Sequence, residues 1–507
     1  MKLSKVQSGS SACNNINKEH NTLACDSSLT NEIFNYTEND QIKEQNEMNL
    51  NRTESNGVKP IVRTEQDFVW GRNVNVSNRE RFLCLFLFLA APLIVLYSIQ
   101  TAFYCNYDIF AGITSSCLIS HIFDPLELYS ALKILLIWMT LQISLALLPD
   151  IIHKIFPFYQ GGTKCGSVSP AGYIYEYNIN GFQAWLISIF LFIVGSYWKC
   201  FSLTVIYDNW GALLIIATIS SYVLTQFLYT KGAIRPNHIG DRKITRSKFY
   251  NLFMGIELNP RIGNFDLKLF FNGRPGIIAW SLINFSFAAA QYQKYGYVSN
   301  SMMVVNLLQT LYIGYFFYRE AWYLKTLDIS HDHFGWMFAF GDLVWLPAMY
   351  TLQGLYLVNN PVSLSNENLF LVLLIGLQGF YIFADSNNQK DMFKLKGENM
   401  KISGRPPRYI DCSYKTSDGA THESKLLLSG WWGTCRHINY TGDIMLSLAY
   451  SMACGYDNIF PYFYVIYLTM LLIHRSIRDE AKCLDKYGEH WKRYCQRVPY
   501  RFIPLIY

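Results

Sequence analysis

The chain has 507 residues, of which 51% are hydrophobic and only 16% charged, which is unusually apolar for a soluble protein. The net charge of +6 lies in basic segments beside apolar runs, and membrane topology explains it better than a nucleic-acid partner does. The 12 cysteines contain no CxxC pair and no zinc-type spacing, so a zinc site is not expected.

The first 70 residues differ from the rest of the chain. They are rich in Asn, Ser and Glu, show no sustained periodicity and carry 7 Lys and Arg against 10 Asp and Glu. Such a segment cannot bury enough apolar surface to fold, so residues 1–70 are predicted to be a disordered tail. Because the tail is acidic, it also lacks the basic arm that binding to nucleic acid would need.

The remaining chain alternates between apolar runs and polar loops. Runs of membrane-spanning length lie near residues 81–104, 131–152, 183–205, 211–230, 276–298, 302–322, 336–357, 369–385, 441–455 and 459–473. They predict an all-α, polytopic membrane protein with about ten transmembrane helices in a domain that covers residues 80–507. The last two runs are short for a span, which is typical of helices that are tilted, re-entrant or broken.

The basic segments set the expected orientation in the membrane. If the tail is cytosolic, four spans return the chain to the cytosol at residues 231–248, which are rich in Lys and Arg. The same count places the basic residues 390–408 and the C-terminal helix on the cytosolic side. Both termini are therefore predicted to be cytosolic, in accord with the positive-inside rule.

Acidic residues inside or at the ends of apolar runs are candidate site residues. Ionisable groups at membrane depth are costly and usually face a bundle interior or a wet cavity. The residues are Glu320, Asp328, Asp332, Asp342 and Asp443. For Asp328 and Asp332 a helix-end residue that reaches the interface is an equal alternative. Asp342 and Asp443 are more deeply flanked by apolar residues, and Asp342 and Glu320 are assigned to a substrate pocket.

Two imidazoles flank a carboxylate in His331-Asp332-His333, a pattern that can indicate a metal site. The other histidines are scattered and do not form the helical pairs that membrane di-iron oxygenases need. A polar wall of a substrate pocket is therefore favoured, and His333 is assigned to that pocket with Asp342 and Glu320. No metal site is predicted.

A strongly charged helix follows the last apolar run directly. Its polar residues fall on two neighbouring helix faces, one with Arg475, Asp479 and Cys483 and the other with Arg478, Lys482 and Lys486. So many fixed cations imply an anion nearby, although a juxtamembrane helix whose cations reach the cytosolic interface is the alternative.

The chemistry of this helix suits a nucleotide cofactor. The chain has no GxGxxG element after a strand and no Walker loop, so a nucleotide would have to bind outside a Rossmann fold. Cations would hold its phosphates, Tyr487 and Trp491 would stack on its rings, and Asp479 would accept a ribose or amide hydrogen bond. Lys390 and Lys394, one helical turn apart, could hold a second phosphate.

Several segments together resemble the integral-membrane sterol reductases, a family that includes the 14-sterol and 24(28)-sterol reductases and the membrane half of lamin B receptor. The matching segments are residues 255–261 (GIELNPR), 327–329 (LDI), 334–335 (FG), 341–342 (GD), 486–488 (KYG) and 498–501 (VPYR). The resemblance implies a sterol-biosynthesis enzyme of the endoplasmic reticulum membrane. It would bind a sterol and NADPH within residues 276–507, and other enzymes of sterol biosynthesis are the protein partners that the resemblance suggests.

The same resemblance assigns the NADPH site residue by residue. Phosphate contacts fall to Lys390 and Lys394, although the second position is commonly Arg in the family and a Lys lacks the bidentate fork of Arg. Further cofactor contacts fall to Leu427, Trp432, Asn439, Tyr440, Arg475, Asp479, Cys483, Lys486, Tyr487 and Tyr494.

Within the family, the likeness is greatest to the members that reduce the 7,8 double bond of 5,7-diene sterols. It is carried by residues 270–276 (FFNGRPG), 322–326 (WYLKT), 331–336 (HDHFGW), 346–347 (LP), 350–357 (YTLQGLYL) and the long loop 401–429. It implies protonation at carbon 8 and hydride delivery from NADPH to carbon 7, with Tyr312 as the acid and Asp479 as its partner. Tyr315 stands where relatives often have Asp, a departure that bears on substrate choice.

Three other functions compete with this interpretation. A 14- or 24(28)-sterol reductase would keep the chemistry and change the substrate. An isoprenylcysteine-type membrane methyltransferase also places Arg, Glu and Gly-aromatic residues around its cofactor, but it does not explain residues 255–261 or 331–336. A non-catalytic sterol-binding protein would tolerate loss of the cofactor residues, and their presence here counts against it.

Overall fold

The computed structural model describes residues 76–110, 124–152, 159, 161–169, 173–415 and 421–504. The predicted tail, residues 1–70, lies outside the described residues. All of the described residues belong to one unit, Phe68–Tyr507, and most of them are helical.

Apolar helices dominate the first half of the described chain. They are α1 (Asn78–Tyr104), α2 (Pro125–Leu147), α3 (Gly181–Tyr197), α4 (Val205–Asp208), α5 (Trp210–Ile234), α6 (Lys248–Met254) and α7 (Leu267–Gly273). Helix α1 begins at a capping box in which the Ser77 hydroxyl accepts the Glu80 N–H and the Glu80 carboxylate accepts the Ser77 N–H. This arrangement satisfies backbone donors that the first helical turn leaves free.

The second half contains the longest helices and several short ones. They are α8 (Pro275–Tyr295), α9 (Asn300–Tyr318), α10 (Glu320–Tyr323), α11 (Leu327–Ser330), α12 (Trp336–Phe340), α13 (Leu346–Met349), α14 (Leu352–Asn359), α15 (Asn366–Lys396), α16 (Ile438–Met452), α17 (Phe463–Tyr487) and α18 (Glu489–Arg497). A π-helical turn, Gly341–Trp345, joins α12 to α13.

The apolar run at residues 336–357, which the sequence predicts as one helix, is broken into four pieces. Pro347 lies two residues after the π-helical turn, in the first turn of α13. Proline has no N–H for the carbonyl four residues earlier, and its ring clashes with that carbonyl, so a regular α-helix cannot continue through this point. The hydrophobic pattern alone did not reveal the break.

Within the described residues, five helices are long and apolar enough to cross a membrane, namely α1, α2, α5, α15 and α17, the last two counted with short extensions. Helix α3 is apolar but has only 17 residues. The chain is therefore a mostly helical membrane protein with several spans, and the prediction of about ten spans is confirmed only to that extent. Helices α8 and α9 coincide with predicted runs, but they contain the buried amides Asn284, Gln291 and Gln309, which lower their hydropathy.

The prediction of an all-α fold misses three two-stranded antiparallel hairpins that lie within the described part of the chain. They pair β1 (Gly162–Val168) with β2 (Ile174–Ile179), β3 (Arg261–Ile262) with β4 (Phe265–Asp266), and β5 (Tyr409–Lys415) with β6 (Thr421–Leu427). The β5–β6 hairpin occupies the long loop 401–429. Its strands are polar and partly exposed, so no apolar run marks them.

Helices α15 and α16 approach each other backbone to backbone. A Cβ atom at Gly379 would lie 2.7 Å from the carbonyl oxygen of Gly442, and one at Gly442 would lie 2.5 Å from the backbone nitrogen of Phe383. Only glycine fits at such an approach. The contact brings the end of α15 beside the start of α16, where the Asn439 amide lies 3.3 Å from the Asn387 side-chain oxygen.

The largest hydrophobic cluster joins α8, α9, α14, α16 and α17. Its members include Phe287, Leu308, Leu355, Leu446 and Leu468, each no more than 5% exposed. Burial of these side chains supplies most of the stabilisation that fixes the apolar half of α17 in the bundle. The charged half of α17 continues beyond this cluster in a fixed direction.

Candidate functional site

A polar cleft of about 230 Å³ lies where the ends of four helical segments meet. Its walls come from residues 322–327, the end of α15, the start of α16 and the charged half of α17. The lining residues are Trp322, Lys325, Thr326, Leu327, Asn387, Lys390, Asp391, Lys394, Trp432, His437, Asn439, Tyr440, Arg475, Asp479 and Lys482. Seven of the predicted cofactor residues lie among them.

Arg475 and Asp479 enter the cleft one turn apart on α17, as their spacing predicts. The Arg475 guanidinium donates two parallel hydrogen bonds to Asp328, at 3.2 Å and 2.9 Å. Asp328 thus fixes the guanidinium by a bidentate contact. Among the described residues the Asp479 carboxylate forms no hydrogen bond or ion pair, so its acceptor capacity is available to a ligand.

A second ion pair holds α17 from the neighbouring segment. The Arg478 guanidinium donates to the Asp332 carboxylate, and His331 Nδ1 lies 3.0 Å from the same carboxylate. Burial alone would raise the pKa of Asp332, but the His331 hydrogen bond and the Arg478 charge outweigh it and hold that pKa well below its ordinary value. The buried Lys268 ammonium donates to the carbonyls of Ile329 (2.8 Å) and Asp332 (2.7 Å) and fixes the backbone of this segment.

The opposite wall offers cations and amides. Lys390 Nζ lies 4.3 Å from the centre of the Trp432 ring, and within the described chain neither Lys390 nor Lys394 forms an ion pair. The Trp432 indole is fixed by donating to the Ser386 carbonyl at 2.7 Å. The side-chain oxygen of Asn439 is buried and accepts no hydrogen bond from the described residues. Two lysines without counterions beside an unsatisfied amide fit a phosphate-bearing cofactor.

The remaining predicted cofactor residues lie behind the cleft wall. Tyr494 donates its hydroxyl to the Trp432 carbonyl at 3.2 Å, and Lys486 Nζ lies 3.8 Å from the centre of the Tyr414 ring on β5. Three others are packed in apolar clusters on the same side, namely Leu427, Cys483 and Tyr487. These residues join the β5–β6 hairpin and α18 to α17 and so support the cleft without lining it.

Tyr312 lies deeper in the bundle than the cleft. Its ring packs against Trp280 and Phe383, with centroids 5.9 Å and 5.5 Å away. Among the described residues no hydrogen bond joins Tyr312 to its predicted partner Asp479, which lines the cleft.

The three residues predicted for a substrate pocket have different environments. The two oxygens of Glu320 accept from Arg274 (3.1 Å) and from the Gly181 N–H (2.7 Å), which makes Glu320 a structural ion-pair partner outside the cleft. His333 is buried with Nε2 3.2 Å from the Asp241 carbonyl oxygen, also outside the cleft. Asp342 sits on the π-helical turn, where its Oδ2 is buried without a hydrogen-bond partner in the described chain.

Sequence reasoning assigned no role to several residues that line the cleft, among them Trp322, Thr326 and Asn387. Asn387 had a usable signal, because it precedes Lys390 and Lys394 at helical spacing and therefore shares their face. The Tyr315 ring packs against Phe380 at 5.3 Å and against Trp322, which lines the cleft, at 6.0 Å.

The described residues form a bundle with several apolar helices of membrane-spanning length and a cleft lined by Lys390, Lys394 and Arg475. Residues 89–507 match the Ergosterol biosynthesis ERG4/ERG24 family. The chain therefore belongs to this family of sterol reductases, which act on a carbon–carbon double bond.

Three curated relatives match between 68% and 89% of this chain. The 7-dehydrocholesterol reductase of Xenopus laevis is 48% identical over 467 residues, which are 89% of this chain and 98% of that protein. The 7-dehydrocholesterol reductase of Danio rerio is 53% identical over 386 residues, 76% of this chain and 81% of that protein. A Delta(14)-sterol reductase of Dictyostelium discoideum is 40% identical over 349 residues, 68% of this chain and 73% of that protein.

Proposed function

We propose that this chain reduces the 7,8 double bond of 7-dehydrocholesterol, or of a related 5,7-diene sterol, with NADPH. The observation that carries the proposal is the cleft between α15 and α17, whose unpaired cations and free acceptors suit an NADP-type cofactor. The names of the relatives with 48% and 53% identity support the choice of substrate.

The cleft supplies complementary groups for each part of NADPH. Lys390 and Lys394 provide two cations for phosphates, which is more positive charge than one diphosphate beside Arg475 requires. Asp479 provides an acceptor for a ribose hydroxyl or an amide, and Trp432 provides an indole face. Bound NADPH supplies the hydride that carbon 7 receives.

Tyr312 is the proposed general acid. Protonation of carbon 8 turns the conjugated diene into an allylic cation, which accepts hydride far more readily than an isolated alkene does. Trp280 and Phe383 pack against the Tyr312 ring. Arg475 and Asp479 line the cleft in which the cofactor is proposed to bind.

The proposal includes an orientation in the membrane. We place the enzyme in the endoplasmic reticulum membrane with ten spans and both termini in the cytosol, so that the cleft opens to cytosolic NADPH. The basic segments 231–248 and 390–408 support this orientation. Residues 1–70 form the tail, residues 80–507 form the membrane domain, and residues 276–507 carry both binding sites.

The test is product analysis in membranes that lack their own sterol reductases. The full chain is expressed there, supplied with 7-dehydrocholesterol and NADPH, and the sterols are identified by mass spectrometry. We expect the 7,8-reduced product, and none from an Asp479→Asn, Tyr312→Phe double variant. An 8,14-diene sterol, which contains the 14,15 double bond, serves as the competing substrate, because the relative from Dictyostelium discoideum is a Delta(14)-sterol reductase. Reduction of that sterol alone would assign the chain to the second activity.

A further inference from the structure

A carboxylate lies between the two lysines that are proposed to bind phosphates. Asp391 follows Lys390 directly on α15 and precedes Lys394 by three residues, and all three side chains line the polar cleft. Residues three apart on a helix are neighbours on its surface. A fixed negative charge at this place would repel the phosphates of a nucleotide cofactor unless the protein compensates for it.

The compensation comes from the wall formed by residues 322–327. The Trp322 indole N–H donates to Asp391 Oδ2 at 3.0 Å, and the Lys325 ammonium donates to Oδ1 at 2.7 Å. These donors lie 69 and 66 residues before Asp391 in the chain, and both line the cleft. Each oxygen of Asp391 therefore has a donor within the protein, whereas the Asp479 carboxylate has none among the described residues.

Trp322 is itself held in place by its neighbours. The Arg319 guanidinium lies 4.9 Å from the centre of the Trp322 ring, and the Tyr315 ring packs against it edge-on at 6.0 Å. The Asp391 side chain is 12% exposed and that of Lys325 is 44% exposed. The ion pair therefore presents more of its cation than of its anion to solvent.

This arrangement bears on which nicotinamide cofactor the cleft accepts. NADPH and NADH differ only in the 2′-phosphate on the adenine ribose. An acidic side chain beside that ribose favours NADH, because a free carboxylate accepts from the 2′-hydroxyl and repels a 2′-phosphate. Asp391 has this chemistry, but both of its oxygens are engaged and the charge of Lys325 offsets its own.

We propose that Lys325 and Trp322 make the cleft selective for NADPH by engaging Asp391. They are positioning residues that act through this carboxylate, while Lys390 and Lys394 hold phosphate. Opening the ion pair frees an acceptor for the 2′-hydroxyl of NADH and leaves a negative charge beside the two lysines. This inference rests on the proposed NADPH-dependent function and names the residues that set the choice of cofactor at that site.

Calorimetric titration of the full chain with NADPH and with NADH tests the inference without turnover. Lys325→Met keeps most of the side chain and removes the cation, so NADPH affinity should fall by about tenfold while NADH affinity stays within about twofold of the wild-type value. Lys425→Met is the matched control. Lys425 Nζ also lies 2.7 Å from a carboxylate, that of Glu398, and its side chain is 37% exposed, but it does not line the cleft. Its ratio of the two affinities should equal that of the wild type.

A double variant separates the proposed role from a direct contact between Lys325 and phosphate. Asp391→Asn in the Lys325→Met background removes the released charge, so the ratio of NADPH to NADH affinity should return to within about threefold of the wild-type value. A ratio as low as that of Lys325→Met would overturn the inference, because Lys325 would then bind phosphate itself. An equal loss of affinity for both nucleotides in Lys325→Met would also overturn it, since a purely structural ion pair gives that result.

Trp322→Phe provides an independent check. It keeps an aromatic ring beside Arg319 and removes only the N–H that reaches Asp391, so the affinity ratio should fall by about two- to fivefold. An unchanged ratio would overturn the part assigned to Trp322. Reduction of 7-dehydrocholesterol by the wild-type chain is measured alongside. Normal sterol reduction with unchanged ratios in the variants overturns this inference alone, whereas a wild-type chain that binds neither nucleotide and reduces no sterol overturns the proposed function.

Discussion

Two regions of the bundle, one around Glu320 and one around Asp479, both contain acidic residues next to apolar runs. They differ in whether these residues already have hydrogen-bond partners within the protein. In the first, both oxygens of Glu320 are taken up by Arg274 and by the Gly181 N–H. In the second, the polar cleft between α15 and α17, Asp479 and Lys390 have no ion-pair partner among the described residues. Burial of a charge at membrane depth therefore does not by itself mark a functional site. Unused acceptors and donors are the more specific sign.

The largest effect is expected from breaking the ion pair between Glu320 and Arg274. Glu320→Ala leaves the Arg274 guanidinium, which is 2% exposed, without a counterion. Loss of one partner of a buried pair costs about 3–5 kcal/mol, so the free energy of unfolding should fall by that amount. Thermal unfolding in detergent measures it, with Asp479→Ala as the control that should unfold near the wild-type temperature.

A double variant tests whether the unpaired Arg274 guanidinium causes the loss of stability in Glu320→Ala. Arg274→Met in the Glu320→Ala background removes the unpaired cation and should recover part of the lost stability. If Glu320→Ala were as stable as the wild type and yet inactive, Glu320 would be a site residue and the contrast between the two regions would fail.

The next effect belongs to the proposed acid. Tyr312→Phe keeps the ring that packs on Trp280 and Phe383 and removes only the hydroxyl, so binding of cofactor and sterol should persist. Turnover should slow by about 10²–10⁴-fold if Tyr312 is the general acid. Single-turnover sterol reduction beside an NADPH affinity measurement separates the two. Normal turnover would mean that the proton comes from another group, with Asp443 the first to test.

The cofactor cleft predicts a smaller effect on binding alone. Asp479→Asn removes a charged acceptor that no described residue uses, so NADPH affinity should weaken by roughly 1.5–3 kcal/mol with stability unchanged. Asp485→Asn is the control, because Asp485 is exposed on the same helix and does not line the cleft. Calorimetric titration with NADPH provides the comparison, and equal affinity for both variants would remove Asp479 from the site.

Lys390 and Lys394 are expected to contribute to the preference for NADPH over NADH. Lys390→Ala and Lys394→Ala should each lower the preference for NADPH over NADH by about two- to fivefold, since exposed cations are screened by water. Lys396→Ala is the control, since Lys396 ends the same helix but does not line the cleft. Initial rates at equal, subsaturating NADPH and NADH give the ratio. A wild-type enzyme without any preference would contradict this assignment.

The smallest effect is expected from the tail. Deletion of residues 1–70 should leave reductase activity nearly intact, because the segment is acidic, aperiodic and free of the site motifs. Activity per amount of correctly inserted protein is the measurement. An inserted but inactive truncation would show that the tail takes part in the reaction.

The sequence predicted best those features that depend on neighbours along one helix. The spacing of Arg475 and Asp479, and of Lys390 and Lys394, places each pair on one face, and the structure brings both pairs into the same cleft. The ion pair of Glu320 with Arg274 was not predicted, because the two residues lie 46 positions apart and helical periodicity carries no information about such a contact. The interruption near Pro347 was missed because an apolar run indicates how long a hydrophobic segment is but not whether its helix is continuous. The three hairpins were missed because no apolar run marks their strands.

Gly379 and Gly442 mark the close approach of α15 and α16, and the angle between the two helices is set there. Gly379 lies eleven residues before Lys390, about 16 Å along the axis of α15. Any side chain at Gly379 or Gly442 would wedge the two helices apart, and the small angle opened there would be magnified at the distal end, where Lys390 and Asn439 face each other across the cleft. Substitutions at Gly379 or Gly442 are therefore expected to weaken cofactor affinity, although neither residue lines the cleft.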